Sequence, residues 1–234
     1  MEKKRTGRVG IRVVAFATIL AALVLIAAAP GAMAADKEDA QGIVDNARIT
    51  LGSFMRDKEY DWLHENIKKA KGVVIYPSVL KAGFILGGSG GTGVLLVRDG
   101  KTGEWSDPAF YTLGSVSFGL QIGGEAAEVV LLVMSQKGVD SLLTSKFKLG
   151  GDTSIALGPV GAGAKSNITA DFISFAKTKG LYAGLNLDGS YLSVRESLNK
   201  AYYGEAATPG DITVKRSVSN KGAAPLKEEL KKAQ

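Results

Sequence analysis

From Gly72 onward the sequence is a series of short apolar runs interrupted by glycine, and this pattern constrains the fold more than any other feature. The stretch 70–93, AKGVVIYPSVLKAGFILGGSGGTG, contains seven glycines, five of them within residues 87–93. Short apolar runs bounded by turn residues are typical of strands, and many of them at regular spacing indicate a barrel or a strongly curved sheet. Because glycine is costly inside a strand, its abundance indicates tight bends or close approach of neighbouring backbones.

Helices are expected before and after the strands. Apolar residues at helical spacing predict an amphipathic helix over Asp36–Met55 and a shorter helix over Tyr60–Ala70, and later helices are predicted over Val139–Lys146 and Val194–Tyr203. We expect Ala109–Ile122 and Ala126–Ser135 to pair with each other. The other predicted strands are Gly72–Tyr76, Gly83–Leu86, Gly93–Arg98, Phe147–Leu157, Val160–Ala164, Phe172–Lys177 and Leu181–Leu187. Residues 99–103, DGKTG, predict a turn.

The first 34 residues predict an export signal. Five basic residues precede an uncharged apolar run, Val13–Ala29, and Ala32-Met33-Ala34 matches a small-x-small cleavage site, so we expect cleavage after Ala34. The alternative is an uncleaved anchor, since the apolar run is at the short end of what spans a bilayer. We therefore expect an exported, periplasmic protein, peripheral on a membrane, with one domain over 35–216 and a mobile polar tail over 217–234.

Charge and composition exclude several function classes. The full chain has 29 basic and 23 acidic residues, but the segment 1–34 holds five of the basic residues and one of the acidic residues. The remaining residues, 35–234, therefore contain 24 basic and 22 acidic residues. This balance does not favour nucleic acid as a partner, because nucleic-acid binding typically requires a strongly basic domain. With no cysteine and a single histidine, His64, the sequence predicts no disulfide, no metal site and no cofactor.

Two literal motifs in the glycine cluster lack the context that their chemistry needs. Residues 88–93 read GxGxxG, but a dinucleotide site requires a following helix, and Val94–Val97 is of strand type. Residues 87–91 read GxSxG around Ser89, but a nucleophile elbow also needs a later histidine, and His64 lies upstream. The sequence therefore predicts a non-enzymatic protein, with a serine hydrolase as a disfavoured alternative.

The basic residues around the first predicted strand are the candidate binding site. Residues 66–98 contain no acid and carry four lysines and Arg98. Backbone N–H groups in glycine turns form concavities that bind anions, so lysines beside a glycine-rich loop favour an anionic partner. The alternative is structural, because lysines at a helix C-terminus complement its dipole and face solvent. The candidate residues are Lys68, Lys69, Lys71 and Lys81.

Ordered sequence blocks over about residues 40–204 resemble the SYLF domain family, also called the Ysc84 or Las17-binding family. The blocks are AKGVVIYP at 70–77, GF at 83–84 with the glycine cluster, GVL at 93–95, WSDPAF at 105–110, QIG at 121–123, GPVG at 158–161, KGLYAG at 179–184 and NKAYYG at 199–204. The resemblance implies an α+β fold in which N-terminal helices pack on a curved, barrel-like antiparallel β-sheet, with further short helices.

The resemblance also implies a function. Eukaryotic members of the family look like phosphoinositide-binding modules, and yeast relatives also bind actin. For an exported bacterial member, we expect binding of anionic phospholipid or phosphoinositide-like headgroups at a membrane surface. The alternatives are a structural or protein-interaction module with an envelope protein as partner, and a barrel that encloses a small apolar ligand.

Overall fold

In a computed structural model, the protein is described for residues 29–83, 86–118, 123–151, 153–161, 163, 167–178, 181–182, 185 and 187–233. Residues 1–28 of the predicted signal peptide lie outside the described residues. The helices are α1 (Ala29–Met55), α2 (Asp61–Asn66), α3 (Gln136–Leu142), α4 (Glu196–Tyr203), α5 (Pro209–Thr213) and α6 (Ala224–Lys232), with 3-10 turns at Lys58–Tyr60, Ile67–Lys69 and Lys221–Ala223. The strands are β1 (Gly72–Gly83), β2 (Leu86–Val97), β3 (Ala109–Phe118), β4 (Gly123–Val133), β5 (Lys146–Lys148), β6 (Ile155–Leu157), β7 (Phe172–Thr178), β8 (Leu181–Tyr182) and β9 (Tyr191–Val194).

The two predicted N-terminal helices are confirmed. Apolar side chains of α1 recur every three or four residues and are fully buried, so they form one stripe against the sheet. The predicted helix over Tyr60–Ala70 consists of α2 with a 3-10 turn at each end, and Asp57 caps its start by accepting a hydrogen bond from the N–H of Glu59. None of the helices in the described part of the chain is long and apolar enough to cross a membrane.

The strands form one sheet that curls into a half-barrel, in the order β5-β9-β3-β2-β1-β4-β7-β6, with β8 beside β7. The neighbouring strands are antiparallel except β6, which runs parallel to β7. The predicted α+β fold with a curved antiparallel sheet is therefore confirmed. The predicted pairing of Ala109–Ile122 with Ala126–Ser135 is wrong, because β1 and β2 lie between the corresponding strands: β3 pairs with β2, and β4 pairs with β1.

Both faces of the sheet are buried over its middle. On one face α1, α2, α4 and α6 pack against alternate strand residues such as Ile75, Val94 and Phe175. On the opposite face the side chains of the intervening residues, including Tyr76 and Tyr111, pack with those of α3 and α5. Strand residues therefore alternate between two apolar cores rather than between core and solvent.

The glycine cluster is part of a strand, so the predicted break between two short strands at this point is wrong. Residues 87–93 pair with β3, and residues 87–90 also pair with β1. An irregularity in β1 between Ile75 and Leu80 brings its backbone over β2. A side chain at Gly91 or Gly93 would collide with the backbone carbonyl of Ser78 or Ile75, respectively. Glycine is required here for close approach of two strands, not for a loop.

The tail predicted to be mobile, 217–234, packs on the domain over the part that the structure describes. Residues Ala223, Leu226 and Leu230 are fully buried in the core under the helices. The ammonium group of Lys227 lies 2.8 Å from a carboxylate oxygen of Asp107, which is itself nearly buried. The tail looks polar because its charged residues cover the two turns of α6, but its leucines at i and i+4 share one face that docks on the domain.

Candidate functional site

Three of the four candidate lysines lie together at one end of the sheet. Lys68 and Lys69 belong to the 3-10 turn that follows α2, and Lys71 immediately precedes β1. Two backbone hydrogen bonds hold this segment to the strand ends: the N–H of Lys71 donates to Val133, and the N–H of Arg98 donates to the carbonyl of Lys71, both at 2.8 Å. The three lysines are therefore fixed beside the end of β2.

A cleft of about 440 Å³ opens between this basic segment and the turn that follows β2. One wall is the segment 69–71, the other wall is the turn 99–103, and Gln136 and Val139 of α3 close one end. The chain reaches this arrangement because β1 and β2 are antiparallel, with Gly72 opposite Val97, so the residue before one strand meets the residue after the other.

The turn that forms the second wall, predicted from its sequence, is built around one carboxylate. Asp99 accepts hydrogen bonds from the N–H groups of Lys101 and Thr102, both at 2.8 Å, and the N–H of Gly103 donates to the Asp99 carbonyl. The bonds from Thr102 and then Lys101 lower the pKa of Asp99 below its ordinary value. Gly103 has φ +76°, a conformation that favours glycine. The result is a short, well-defined turn with Lys101 near its tip.

Cations outnumber acids around the cleft. Lys68, Lys69, Lys71 and Lys101 are all exposed. The ammonium group of Lys69 donates to the side-chain oxygen of Asn66 at 2.9 Å. Among the described residues that line the cleft, the one acid is Asp99, and its carboxylate accepts hydrogen bonds from backbone N–H groups of its own turn. Chemically, the arrangement offers several ammonium groups on two walls to an anionic group between them.

The fourth candidate, Lys81, does not belong to this site. It lies ten positions further along β1, so at about 3.3 Å per residue it is roughly 30 Å from Lys71. Its ammonium group is 4.0 Å from a carboxylate oxygen of Glu125, the residue opposite it on β4. The sequence predicts a break between the strands Gly72–Tyr76 and Gly83–Leu86, where Lys81 lies, whereas β1 is one strand from Gly72 to Gly83 with an irregularity near its middle.

Sequence reasoning missed two contributors to the cleft. The sequence predicts Lys101 only as part of a turn and Gln136 only as the residue after a strand. The predicted turn is the signal for Lys101, because a turn directly after β2 lies beside the residues that precede β1 once the two strands pair antiparallel. No pattern in the sequence indicates Gln136, since β4 and α3 reach the cleft only through the pairing of β4 with β1.

The residues of the alternative hydrolase site are not assembled. Ser89 lies inside β2, away from any strand–turn–helix elbow, and its hydroxyl is 2.6 Å from that of Ser115 on β3. The Nε2 atom of His64 is 2.9 Å from the carbonyl oxygen of Phe54. Within the described residues, no group of three histidine, cysteine or carboxylate side chains could hold a metal ion.

Comparison with known proteins identifies relatives of this chain. The profile of a family described as "Las17-binding protein actin regulator" matches residues 114–233. An SH3 domain-containing protein of Schizosaccharomyces pombe is 39% identical over 166 residues, which cover 68% of this chain and 37% of that protein. Protein YSC84 of Saccharomyces cerevisiae is 34% identical over 169 residues, or 68% of this chain and 35% of that protein. The SH3 domain-containing YSC84-like protein 1 of Homo sapiens is 33% identical over 153 residues, or 62% and 44%. This chain thus spans less than half the length of these relatives.

Proposed function

Because this chain belongs to the Ysc84 family of Las17-binding protein actin regulators, we propose that it is a non-enzymatic binding module whose basic cleft docks on anionic phospholipid headgroups at a membrane surface. The observation that supports this most directly is the cleft itself, which the exposed Lys69 and Lys71 line on one wall and the exposed Lys101 lines on the other. The family description supports binding rather than catalysis, and the lysines favour an anionic partner.

Electrostatic attraction alone gives such a site a modest affinity. A lysine near an anionic membrane contributes about 1 kcal/mol, so Lys68, Lys69 and Lys71 together contribute about 3 kcal/mol. At 1.4 kcal/mol per tenfold change, this corresponds to roughly a hundredfold in the binding constant. Each contribution falls off within a Debye length of about 8 Å at physiological salt, so binding should weaken as salt is added.

The proposed site of action follows from the N-terminal sequence. The basic residues before Val13, the apolar run and Ala32-Met33-Ala34 support export with cleavage after Ala34. In this proposal the mature protein resides in the periplasm and contacts phospholipid there as a peripheral protein. An N-terminal sequence determination on the purified protein tests the cleavage: a new terminus at Ala35 is expected, and an intact Met1 would contradict it.

The test of function is co-sedimentation with vesicles over a salt series. Vesicles of phosphatidylcholine with 30% phosphatidylglycerol are compared with pure phosphatidylcholine. We expect binding to the anionic vesicles that weakens with salt and falls about a hundredfold when Lys68, Lys69 and Lys71 are all replaced by Ala.

A matched control removes the same charge elsewhere, through Ala at the exposed residues Lys58, Lys200 and Lys231. This control should retain most of the binding. Equal loss in the two triple variants would show that overall charge, and not the cleft, attracts the membrane. No binding to anionic vesicles by the unaltered protein would refute the proposal.

A second candidate is a protein-interaction module, favoured by the family description, in which a protein partner replaces the membrane. In this case binding to vesicles is absent, and one defined envelope protein is recovered by affinity purification. Recovery of that partner should then depend on the same lysines if the cleft is the shared surface.

A further inference from the structure

Arg98 makes hydrogen bonds to both walls of the cleft. Its Nη1 atom donates to the carbonyl of Lys68, the residue directly before the first wall, and its Nε atom donates to the carbonyl of Gly103 on the second wall at 3.2 Å. Its own N–H donates to the carbonyl of Lys71. One residue at the base of the cleft therefore connects the segment that carries three lysines to the turn that carries Lys101.

The geometry of this link needs a guanidinium group. Arginine presents N–H donors in a rigid planar fork, so Nε and Nη1 can bond two carbonyls in fixed directions at once. A lysine ammonium is a compact point charge on a flexible stem and cannot hold the same two acceptors in that geometry. A side chain at Gly103 would also lie 3.3 Å from the Nη2 atom of Arg98, so the guanidinium packs directly against the turn.

We propose that Arg98 is a positioning residue of the cleft: it fixes the distance between the two lysine-bearing walls and does not itself bind the anion. The proposal rests on the proposed function and deepens it, because it makes the cleft a site of defined shape and not a sum of surface charges. Arg98 donates to the backbone carbonyls of Lys68, Lys71 and Gly103, whereas the side chains of the lysines are exposed to solvent.

A second arginine holds the same turn from outside the cleft and provides a matched control. Arg216 donates from Nη2 to the carbonyl of Glu104 at 2.8 Å, one residue beyond the carbonyl that Arg98 holds. Arg216 has φ 53°, a backbone conformation that is unfavourable for arginine and lysine alike. Arg216→Lys therefore adds no new backbone strain. Because this hydrogen bond goes to Glu104 and not to the segment 68–71, replacing Arg216 leaves the link between the two walls intact.

The experiment compares Arg98→Lys, Arg98→Ala and Arg216→Lys in the purified protein, with vesicles containing 30% phosphatidylglycerol at fixed salt. Arg98→Lys keeps the charge and removes the link, so we expect it to lose about five- to tenfold in affinity, nearly as much as Arg98→Ala. Arg216→Lys should lose less than twofold. Thermal melts of all three variants establish that they are folded at the assay temperature.

Affinity within twofold of the unaltered protein for Arg98→Lys, with a loss for Arg98→Ala, would overturn the proposal, because the charge of Arg98 would then be what matters. Unchanged binding in both variants would overturn it as well.

Amide hydrogen exchange tests the link without any vesicle. Amides of the turn 99–104 should exchange faster in Arg98→Lys, while those of β1 and β2 keep their protection. Unchanged protection of the turn would overturn the positioning role even if binding changed. If the unaltered protein failed to bind anionic vesicles, the proposed function would fall, and the exchange result would still decide whether Arg98 links the walls.

Discussion

Replacing Leu230 by Ala tests whether the C-terminal helix is part of the domain. Leu230 is fully buried in the core under the helices, where α6 packs beside α1. A Leu→Ala change at such a site removes buried methyl groups and leaves a cavity, which costs about 2–5 kcal/mol. The local packing is close, because a side chain at Gly52 of α1 would lie 2.9 Å from the carboxylate of Glu229. We take about 3 kcal/mol as the expected loss in the free energy of unfolding.

The assay is thermal and urea-induced unfolding followed by circular dichroism. For a domain of this size each kcal/mol changes the midpoint temperature by about 2–4 °C, so Leu230→Ala should lower it by roughly 6–12 °C. The neighbouring exposed residue supplies the control, since Lys231→Ala removes a side chain of similar length from the outer face of the same helix. A surface change of this kind should stay within about 0.5 kcal/mol.

Equal midpoints for the two variants would refute the reasoning. They would mean that the helix contributes no buried contact in solution, and that the tail is mobile as its polar composition suggests. A loss of stability in Leu230→Ala with an unchanged urea m-value would instead show that the helix unfolds together with the rest of the domain.

Two further predictions concern the sheet and its edge. Gly93→Ala should lower the free energy of unfolding, measured in urea, by about 1–3 kcal/mol, because the added methyl group would overlap the backbone of β1. Gly114→Ala, which has open space around the added methyl group, should be neutral or slightly stabilising. Equal effects of the two changes would contradict the close approach of the strands. Hydrogen bonds from Ser135 and then Ser154 lower the pKa of Asp171, so its contribution to stability is present above the carboxyl pKa of the unfolded chain and is lost as pH falls through the folded pKa. Asp171→Asn should therefore flatten the acid limb of the stability–pH curve, and an unchanged limb would contradict this.

The elements that the sequence predicted well are those whose signal is local. The apolar stripe of α1, the helix around Trp62 and the turn 99–103 each depend on residues within a few positions of one another. The basic segment at Lys68–Lys71 was found because its residues are adjacent in the chain. Such features follow from helical periodicity and turn chemistry, which act before any tertiary contact forms.

Tertiary pairing decided the features that the sequence misjudged. Glycines 87–93 read as a break between strands, since glycine alone is a poor strand former, but the neighbouring strand comes so close that a side chain would not fit. Lys81 was grouped with the other lysines because the length of β1 was not visible in its composition. Strand length and register are set by partners on both sides, which no local pattern contains.

The sequence by itself determined the fold class and the basic segment, because periodicity and charge are properties of the chain. Only the tertiary structure decided which strands are neighbours, that α6 docks through Leu226 and Leu230, and that the turn with Lys101 faces Lys71 across a cleft. The physical reason is that burial and register depend on groups far apart in sequence. The conformation of a polar helix or of a glycine-rich segment is set by the surface against which it packs.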